Sequence, residues 1–567
     1  MKRIFGVLCI ALFVQSCTLI GINIKHKTPK RAKKLPHFER EDSLIGTLSK
    51  ERSCYDVHYY DLDVAFFNEK KLISGQVTIH YTVVEDFKRM QIDLQDNFDF
   101  EIQYPAKYIA TREHRAIFID FEKEHKRGTS DSIVINYWGK PDKAKRPPWK
   151  GGFVYKKDDN KNPWMGVACE QIGASIWWPV KDHLSDEPDS MMVNYFVPEG
   201  MYCVSNGSLN KELKGVLPAK YGIQELKGFE DTKRDYFQWK ITYPINSYNV
   251  TFYIGDFKKF SLPYKDTKQL DFYVLPESLD TAKVHFQQTE EIMSFFEEVF
   301  GEYPYWRDGY KLVESPYEGM EHQTAIAYGS GFKNERGYDH DYIILHETAH
   351  EWWGNSITVN DYADIWLHEG FATYAEALFV ERKYGYSKYL DYLDFYAMLI
   401  KNKKSVVGPK DVNYWNFHDG DPYMKGALTL HTLRNTINDD PLFFDIIKSF
   451  YAKYKYKNVT TQNFIDLVNE KTKTDLSWFF EQYLFKRECP TLLVYMAFNP
   501  LTQGLDYHYK WKNNLDLPIP ILFNNGTKDT LLYPSNEVQV LEDKGTFPWF
   551  NVKGSYIRIE YQKKPIY

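Results

Sequence analysis

The pentapeptide His346-Glu347-Thr348-Ala349-His350 constrains this chain more than any other stretch of its sequence. On a helix, His346 and His350 lie one turn apart on the same face, so both imidazoles can reach a single metal ion. Glu347 is rotated by about 100° from His346, which places its carboxylate beside the metal rather than on it. The spacing therefore predicts a helical metal clamp with an adjacent general base.

Glu369 is the expected third metal ligand. It follows His350 after eighteen residues, near the start of a second helical pattern over Ile365–Tyr384. Two histidines and one glutamate form a ligand set that leaves zinc an open position for chemistry. Because Ile343–Leu345 and the following tryptophans make the first helix apolar, its histidines should be buried, where imidazoles without a metal would lack polar partners. We therefore predict one catalytic Zn²⁺ per chain.

The composition describes a globular chain and excludes some classes of partner. A chain of 567 residues with 43% hydrophobic content is long enough for about three or four domains. The formal net charge of −6 is small for this length, so bulk electrostatics indicate neither nucleic acid nor an acidic membrane surface. The 17% aromatic content is typical of strand-rich regions.

The N-terminus is predicted to be an export signal. Two basic residues precede an apolar run over Ile4–Val14, and Ser16 comes directly before Cys17. This arrangement resembles a bacterial lipoprotein signal over residues 1–17, with Cys17 as the lipidated membrane anchor. The alternative continues the apolar run through Ile22 as one membrane-spanning anchor. Both interpretations place the body outside the cytoplasm, on the periplasmic or cell-surface side.

Changes in pattern divide the remaining chain. Residues 18–53 carry mixed charge without apolar periodicity, which is typical of a tether. Residues 54–257 contain alternating segments and predict a β-domain. Strands then helices follow over 258–487, and residues 488–567 return to short strands. The fold class predicted is therefore α+β and multidomain.

Four cysteines remain outside the signal: Cys54, Cys169, Cys203 and Cys489. They are far apart and lack the close pairing of a cysteine zinc site. A Cys169–Cys203 disulfide and buried free thiols are both compatible with the sequence.

Three further segments of the sequence contain candidate site residues. Gly319-Met320-Glu321 lies in a predicted edge strand beside the zinc helix, which would place Glu321 near the metal. Cys169–Pro179 interrupts the β-domain with Gly, Pro and paired tryptophans, which indicates a loop held against another surface. Tyr423 lies at the start of a predicted helix.

With these segments the sequence resembles the peptidase family M1 zinc aminopeptidases, the group that includes aminopeptidase N. The zinc signature matches in full, and the strand matches in part the family motif G-x-M-E-N. Glu318 stands where the first glycine is usual, and His322 replaces the asparagine. Tyr423 precedes Lys-Gly-Ala as the family tyrosine does, and Gln171 matches the glutamine of the β-domain loop.

The resemblance implies an N-terminal β-saddle domain, a thermolysin-like catalytic domain and a small C-terminal β-sandwich. Many members add a large helical domain that covers the active site. This chain ends at Tyr567, so we expect the short form, with a cleft that is more open or closed by another chain.

The resemblance also implies roles for the site residues. Glu347 would take a proton as a zinc-bound water attacks the peptide carbonyl. Tyr423 would donate a hydrogen bond to the oxyanion. Glu321 and Gln171 would hold the free α-ammonium of the substrate. The remaining expected residues are Met320 and Gly319 at the substrate and Asn355 and Glu376 behind the zinc ligands.

The function predicted is zinc-dependent removal of the N-terminal residue from peptides that have a free N-terminus. Two alternatives remain: a zinc endopeptidase, and a non-catalytic surface lipoprotein that binds peptides. The sequence makes no prediction of oligomeric state.

Overall fold

The computed structural model describes residues 36–223, 232–414, 419–514, 517–524, 528–543, 549–552 and 555–566. The predicted signal and Cys17 lie outside these residues. Among the residues described, no helix combines the length and apolar character needed to cross a bilayer.

The N-terminal unit is built from sheets. In the described part of the chain, its main sheet has seven strands in the order β12-β13-β10-β1-β2-β7-β4, beside sheets ordered β11-β14-β9-β8 and β3-β6-β5. The strands are β1 (Tyr55–Phe67), β2 (Leu72–Val83), β3 (Phe87–Asp93), β4 (Phe98–Gln103), β5 (Tyr108–Glu113), β6 (Ala116–His125), β7 (Ser130–Gly139), β8 (Gly152–Lys157), β9 (Pro163–Ala168), β10 (Ser190–Val197), β11 (Tyr202–Ser205), β12 (Ser208–Val216), β13 (Arg234–Ile241) and β14 (Phe252–Gly255). The side chains of β1 alternate between the two faces of the sheet. Leu62 and Val64 are buried, while Asp61 and Asp63 on the other face are half-buried.

Two short helices lie in the second half of the predicted tether: α1 (Arg40–Gly46) and α2 (Lys50–Ser53). Arg52 is fully buried, and its Nη2 atom donates to Oδ2 of Asp93 at 2.6 Å. This part of the chain therefore packs against the β-unit and differs from the loose arm that its composition predicted. A buried ion pair and the packing of Leu44 against Ala116 and Phe118 hold this segment, although it has no apolar periodicity.

The loop after β9 is packed as its tryptophans predicted. Trp177 and Trp178 are completely buried. Oδ1 and Oδ2 of Asp182 accept hydrogen bonds from the backbone N–H groups of Ala174 and Ser175. These contacts give the loop a fixed path toward the unit over residues 258–487.

The second unit, over residues 258–487, contains a mixed sheet ordered β15-β16-β17-β19-β18. Its strands are β15 (Lys258–Tyr264), β16 (Lys268–Val274), β17 (Tyr310–Glu314), β18 (Gly319–Met320) and β19 (Ile326–Tyr328), followed by the separate pair β20 (Ile357–Val359) and β21 (Lys457–Val459). Its helices are α3 (Leu279–His285), α4 (Gln288–Phe300), α5 (Tyr342–Ala349), α6 (Trp366–Tyr384), α7 (Tyr386–Leu399), α8 (Asp421–Ile437), α9 (Asp440–Tyr454), α10 (Thr461–Thr472) and α11 (Ser477–Phe480). The edge strand β18 lies beside α5, as predicted.

Two glycines bring α6 and α8 together. A Cβ atom built on Gly370 would lie 2.9 Å from Cα of Gly426, which is closer than real Cβ atoms approach. The two helices therefore make a backbone contact at this point. Because Glu369 is next to Gly370, and Tyr423 lies one turn before Gly426, this contact places both side chains at one site.

The C-terminal unit has two small sheets in the described residues, ordered β26-β23-β22-β28 and β25-β24-β27. The strands are β22 (Thr491–Asn499), β23 (Gly504–Trp511), β24 (Ile521–Asn524), β25 (Asp529–Leu532), β26 (Gln539–Asp543), β27 (Trp549–Asn551) and β28 (Arg558–Gln562). Phe523 and Phe550 are buried and contact each other and Tyr507. The whole architecture is the α+β multidomain fold that the sequence predicted.

The four cysteines are free and buried. The Sγ atom of Cys169 donates to the carbonyl oxygen of Tyr248 at 3.2 Å. Of the two possibilities that the sequence left open, the structure has the free thiols rather than a Cys169–Cys203 bridge.

Candidate metal centre and active site

Helix α5 presents both histidines of the motif to one point. Its N-cap is Asp341, whose carboxylate accepts the N–H of Ile343 at 2.9 Å. The Nε2 atoms of His346 and His350 are 3.2 Å apart. Oε2 of Glu369, in the first turn of α6, lies 3.5 Å from each of these nitrogens.

These three distances fit a tetrahedral zinc ion. Zinc bonds of about 2.0–2.1 Å at tetrahedral angles separate the ligand atoms by about 3.3 Å. Oε2 of Glu369 is buried and accepts no hydrogen bond within the described residues, so it is an oxygen in need of a partner. Although burial opposes ionisation, contacts with His346 and His350 lower the pKa of Glu369 to about 2. The donor set is therefore chemically and geometrically suited to zinc.

The outer nitrogen of each histidine has an acceptor. Nδ1 of His346 lies 2.7 Å from Oε1 of Glu376, and Nδ1 of His350 lies 2.8 Å from the carbonyl oxygen of Trp353. A carbonyl oxygen only accepts, so Nδ1 of His350 carries a proton, and in the neutral imidazole the lone pair is on Nε2, which faces the other ligand atoms. Such contacts orient metal ligands, which is the role predicted for Glu376.

Glu376 is itself held by a group that the sequence analysis missed. The hydroxyl of Tyr396 donates to its Oε2 atom at 2.6 Å, and the hydroxyl of Tyr392 donates to the same oxygen. Nη1 of Arg336 lies 3.4 Å from this oxygen. The two tyrosines are one turn apart on α7, a spacing visible in the sequence, whereas Arg336 comes from a loop and gave no such signal.

Glu347 faces the edge strand without joining the ligand triad. A Cβ atom on Gly319 would lie 2.5 Å from its Oε1 atom, so only glycine leaves room for this carboxylate. Burial raises the pKa of Glu347 to about 8 in the metal-free chain, against the opposing effect of the two histidines. Its position beside the triad and its elevated pKa suit a group that exchanges a proton.

Glu321 lies on the His350 side of the triad. One potential ligand atom from each of Glu321, Glu347 and His350 lies within 4.8 Å of the other two. The hydroxyl of Tyr248 donates to Oε1 of Glu321 at 3.1 Å. Nδ2 of Asn355 donates to the backbone oxygen of Glu321 at 2.7 Å. Asn355 therefore positions the backbone of Glu321, which directly follows β18. Its side chain contacts no zinc ligand, so the supporting role predicted for it is wrong.

Gln171 is not in this cleft. Its backbone is fixed in the left-handed region (φ 66°) by the hydroxyl of Tyr362, which accepts its N–H at 2.8 Å, and by Asn413, which donates to its carbonyl at 2.8 Å. Gln171 instead lines a separate small cavity. The preceding residue, Glu170, lines the main cleft. The structure therefore places Glu170, and not Gln171, at the cleft where Gln171 was predicted to lie.

Glu170 is a further carboxylate in the cleft. Burial, together with the negative charge of Glu321, raises its pKa well above the usual range. Several carboxylates that face one cavity repel each other unless cations lie between them. The cleft is therefore built to receive positive charge.

Comparison with known proteins identifies the catalytic unit. Residues 284–483 match the model described as the Peptidase family M1 domain. The chain contains a peptidase family M1 domain. It is 27% identical over 263 residues to endoplasmic reticulum aminopeptidase 1 of Mus musculus, and 26% identical over 278 residues to leukotriene A-4 hydrolase of Xenopus laevis. These matches cover 42% and 46% of this chain but 28% and 44% of the respective relatives, so the chain spans less than half of their length.

The fold has a solved counterpart. The M1 zinc metallopeptidase from Deinococcus radiodurans superposes with a TM-score of 0.62 at 20% identity, covering 77% of this chain and 94% of that one. At this identity the likeness concerns the fold.

The M1 domain gathers nearly all of the predicted site residues around one cleft of about 310 Å³. Tyr423 stacks against His346, with ring centroids 6.1 Å apart and an interplanar angle of 21°. Burial and the nearby Glu369 raise the pKa of Tyr423 well above 10, so its phenol stays protonated. The predicted residues that line the cleft are His346, His350, Glu369, Glu347, Glu321, Met320, Gly319 and Tyr423.

His322 lies outside the cleft. It is completely buried, and its Nδ1 atom lies 2.7 Å from the hydroxyl of Tyr253. Burial lowers its pKa to about 3, so it is neutral. It therefore packs the strand of the M1 domain from behind and offers no contact to a substrate in the cleft.

Proposed function

We propose that this protein is a zinc aminopeptidase that hydrolyses the first peptide bond of peptides with a free N-terminus. One observation carries the proposal: the triad His346, His350 and Glu369, at tetrahedral ligand spacing, opens into the same cleft as Glu170 and Glu321. The similarity to an endoplasmic reticulum aminopeptidase supports it.

One zinc ion per chain would be held by His346, His350 and Glu369. When bound, zinc supplies Lewis-acid activation of water and of the peptide carbonyl. The pair formed by His346 and Glu376 keeps the first imidazole oriented toward the metal position.

Glu347 is the proposed proton carrier. Its carboxylate takes a proton from the attacking water and delivers it to the nitrogen of the leaving amine. The missing side chain of Gly319 leaves room for this carboxylate at the edge of β18. A base held in one place contributes more than a mobile one, because the geometry of transfer is set in advance.

Tyr423 is the proposed hydrogen-bond donor to the carbonyl oxygen. This oxygen gains negative charge as water adds to the carbon, and a protonated phenol stabilises that charge. The stacking of Tyr423 on His346 supports this role, because it holds the ring beside a proposed metal ligand.

Glu170 and Glu321 would bind the α-ammonium of the substrate. Charge-assisted hydrogen bonds from an ammonium to carboxylates are strong in a partly buried site. An amine held there, on the His350 side of the triad, leaves only the first carbonyl within reach of the metal and Glu347. The same anchor is the reason why we expect exopeptidase rather than endopeptidase activity.

The N-terminal sequence supports a further proposal on location. A lipoprotein signal that ends at Cys17 would place the enzyme on the outer side of a membrane, where peptides arrive from outside the cell.

The test combines elemental analysis with two substrates. We expect one zinc per chain, turnover of alanyl p-nitroanilide, loss of turnover after chelation, and recovery with zinc. N-acetylated peptides should be poor substrates, because acetylation removes the ammonium. Efficient cleavage of blocked peptides would establish an endopeptidase, and stoichiometric zinc without any turnover would overturn the proposed catalysis.

A further inference from the structure

Arg336 lies in the loop between β19 and α5, and it lines the active-site cleft. Its guanidinium stacks over the ring of Tyr342, with Cζ 3.9 Å from the ring centroid. Nη1 donates to the hydroxyls of Tyr392, at 3.0 Å, and of Tyr396, and it lies 3.4 Å from Oε2 of Glu376. Three partners therefore fix the Nη1 corner of the guanidinium, and Tyr342 covers one face of it.

The opposite edge of the same group has no partner. Within the described residues, every hydrogen bond of Arg336 involves Nη1, and Glu376 is the one carboxylate within 4.0 Å. The side chain is 29% exposed. The Nε and Nη2 donors of a guanidinium match the two oxygens of a carboxylate. A group fixed at one corner and open along this edge is prepared to bind an anion without losing much side-chain freedom.

The position of Arg336 relative to the three metal ligands indicates the direction in which a bound peptide would run along the cleft. Glu321, the proposed amine anchor, lies on the side of His350. Arg336 lies on the side of His346, to which it is connected through Glu376. Glu321 and Arg336 line the same cleft, so a peptide with its amine at Glu321 and its first carbonyl at the metal can continue along the cleft to Arg336.

We propose that Arg336 binds a carboxylate of the substrate on the C-terminal side of the cleaved bond. This inference rests on the proposed aminopeptidase function and narrows its substrate class. Contacts of 2.7 and 3.4 Å connect His346 to Arg336 through a single glutamate side chain. An extended peptide advances by about 3.3–3.6 Å per residue, so the carboxylate belongs to the first or second residue after the cut. The preferred substrates are dipeptides and tripeptides with a free C-terminus.

An acidic side chain at the same place would offer the same chemistry. We therefore compare four substrates: Ala-Ala-Ala with a free C-terminus, its C-terminal amide, Ala-Glu-Ala amide, and alanyl p-nitroanilide. The variants are Arg336→Met, which removes the guanidinium, and Arg336→Lys, which keeps the charge without the fork. Lys333→Met removes a positive charge from an exposed position of the same loop and is the matched control.

For the wild-type enzyme we expect kcat/KM to be at least about tenfold higher for the free tripeptide than for its amide, the value of one charge-assisted hydrogen bond. Arg336→Met should abolish this ratio, chiefly by raising KM for the free tripeptide, and any loss that comes from its contact with Glu376 should lower turnover of all four substrates alike. Arg336→Lys should restore it in part, and Lys333→Met should behave as wild type. If the ratio instead separates Ala-Glu-Ala amide from Ala-Ala-Ala amide, the carboxylate bound is a side chain.

Two results would overturn the inference. Equal kcat/KM for the acid and the amide in the wild type would show that no carboxylate is bound. An equal loss on all four substrates in Arg336→Met would show that the residue acts only through Glu376 and His346. Alanyl p-nitroanilide has no carboxylate, so its turnover by the wild type tests the proposed aminopeptidase function independently of Arg336. Calorimetric binding of the tripeptide acid and amide to the Glu347→Gln variant reports on Arg336 even if no substrate is turned over.

Discussion

Oε1 of Glu376 lies 2.7 Å from Nδ1 of His346, and Oε2 of the same carboxylate accepts hydrogen bonds from two tyrosines. The carboxylate therefore connects a zinc ligand to α7. Replacing such a partner typically lowers metal affinity by about 10–100-fold. We expect this loss in Glu376→Gln, measured by competition of the variant with a zinc chelator. Glu290→Gln, on the exposed face of α4, is the control. Unchanged zinc affinity in Glu376→Gln would show that the contact does not orient His346.

The second prediction concerns Gly319, where a substitution should disturb the proton carrier Glu347 without disturbing the three metal ligands. In Gly319→Ala, the added methyl would lie 2.5 Å from Oε1 of Glu347 and 3.1 Å from Cγ2 of Ile343. The carboxylate must move, and a displacement of about 1 Å can cost about 100-fold in rate. We expect kcat to fall by at least about tenfold, with full zinc content by elemental analysis.

The control for this glycine is Gly408→Ala, where the nearest atom to the new methyl would be 3.5 Å away. That variant should keep wild-type kcat and zinc content. A wild-type kcat in Gly319→Ala would mean that Glu347 is not the proton carrier or that it tolerates a new position.

How far the sequence predicts this site depends on how local each contact is. His346, Glu347 and His350 lie within one turn and a half of one helix, so helical geometry alone places them. Glu369 and Glu376 are seven residues apart, which puts both on one face of α6 and toward the histidines. The edge strand that directly precedes Glu321 follows from its pattern and its resemblance to a known motif.

Contacts that depend on loops were not predictable in the same way. Glu170 and Gln171 are adjacent, and which of them faces the cleft is decided by the left-handed backbone at Gln171 and by its ties to Tyr362 and Asn413. Arg336 reaches the cleft from a loop without periodicity. In both cases tertiary contacts fix the direction of a side chain that no local pattern specifies.

The correction from Gln171 to Glu170 can be tested directly. Glu170→Gln keeps the shape of the side chain and removes its charge, so it should weaken binding of the substrate ammonium. We expect kcat/KM for alanyl p-nitroanilide to fall by at least about tenfold, mainly through KM, since hydrogen bonds to charged groups are worth about 1.5–3 kcal/mol.

Gln171→Ala is the matched control for Glu170→Gln, because its side chain lies in a different cavity. Its kcat/KM should stay close to that of the wild type. The reverse pattern, a large loss in Gln171→Ala and none in Glu170→Gln, would restore the original assignment.

The last prediction concerns the helical segment before the first strand. Arg52 and Asp93 form an ion pair with both side chains fully buried. Arg52→Met leaves the carboxylate of Asp93 without its cationic partner, and breaking one member of a buried pair costs about 3–5 kcal/mol. We expect the free energy of unfolding, measured in urea, to fall by about this amount. Arg40→Met removes an arginine whose ion pair with Glu113 is exposed, and it should change stability far less because solvent screens that pair. Equal, small effects of the two substitutions would mean that residues 40–53 detach easily and contribute little to the stability of the β-unit.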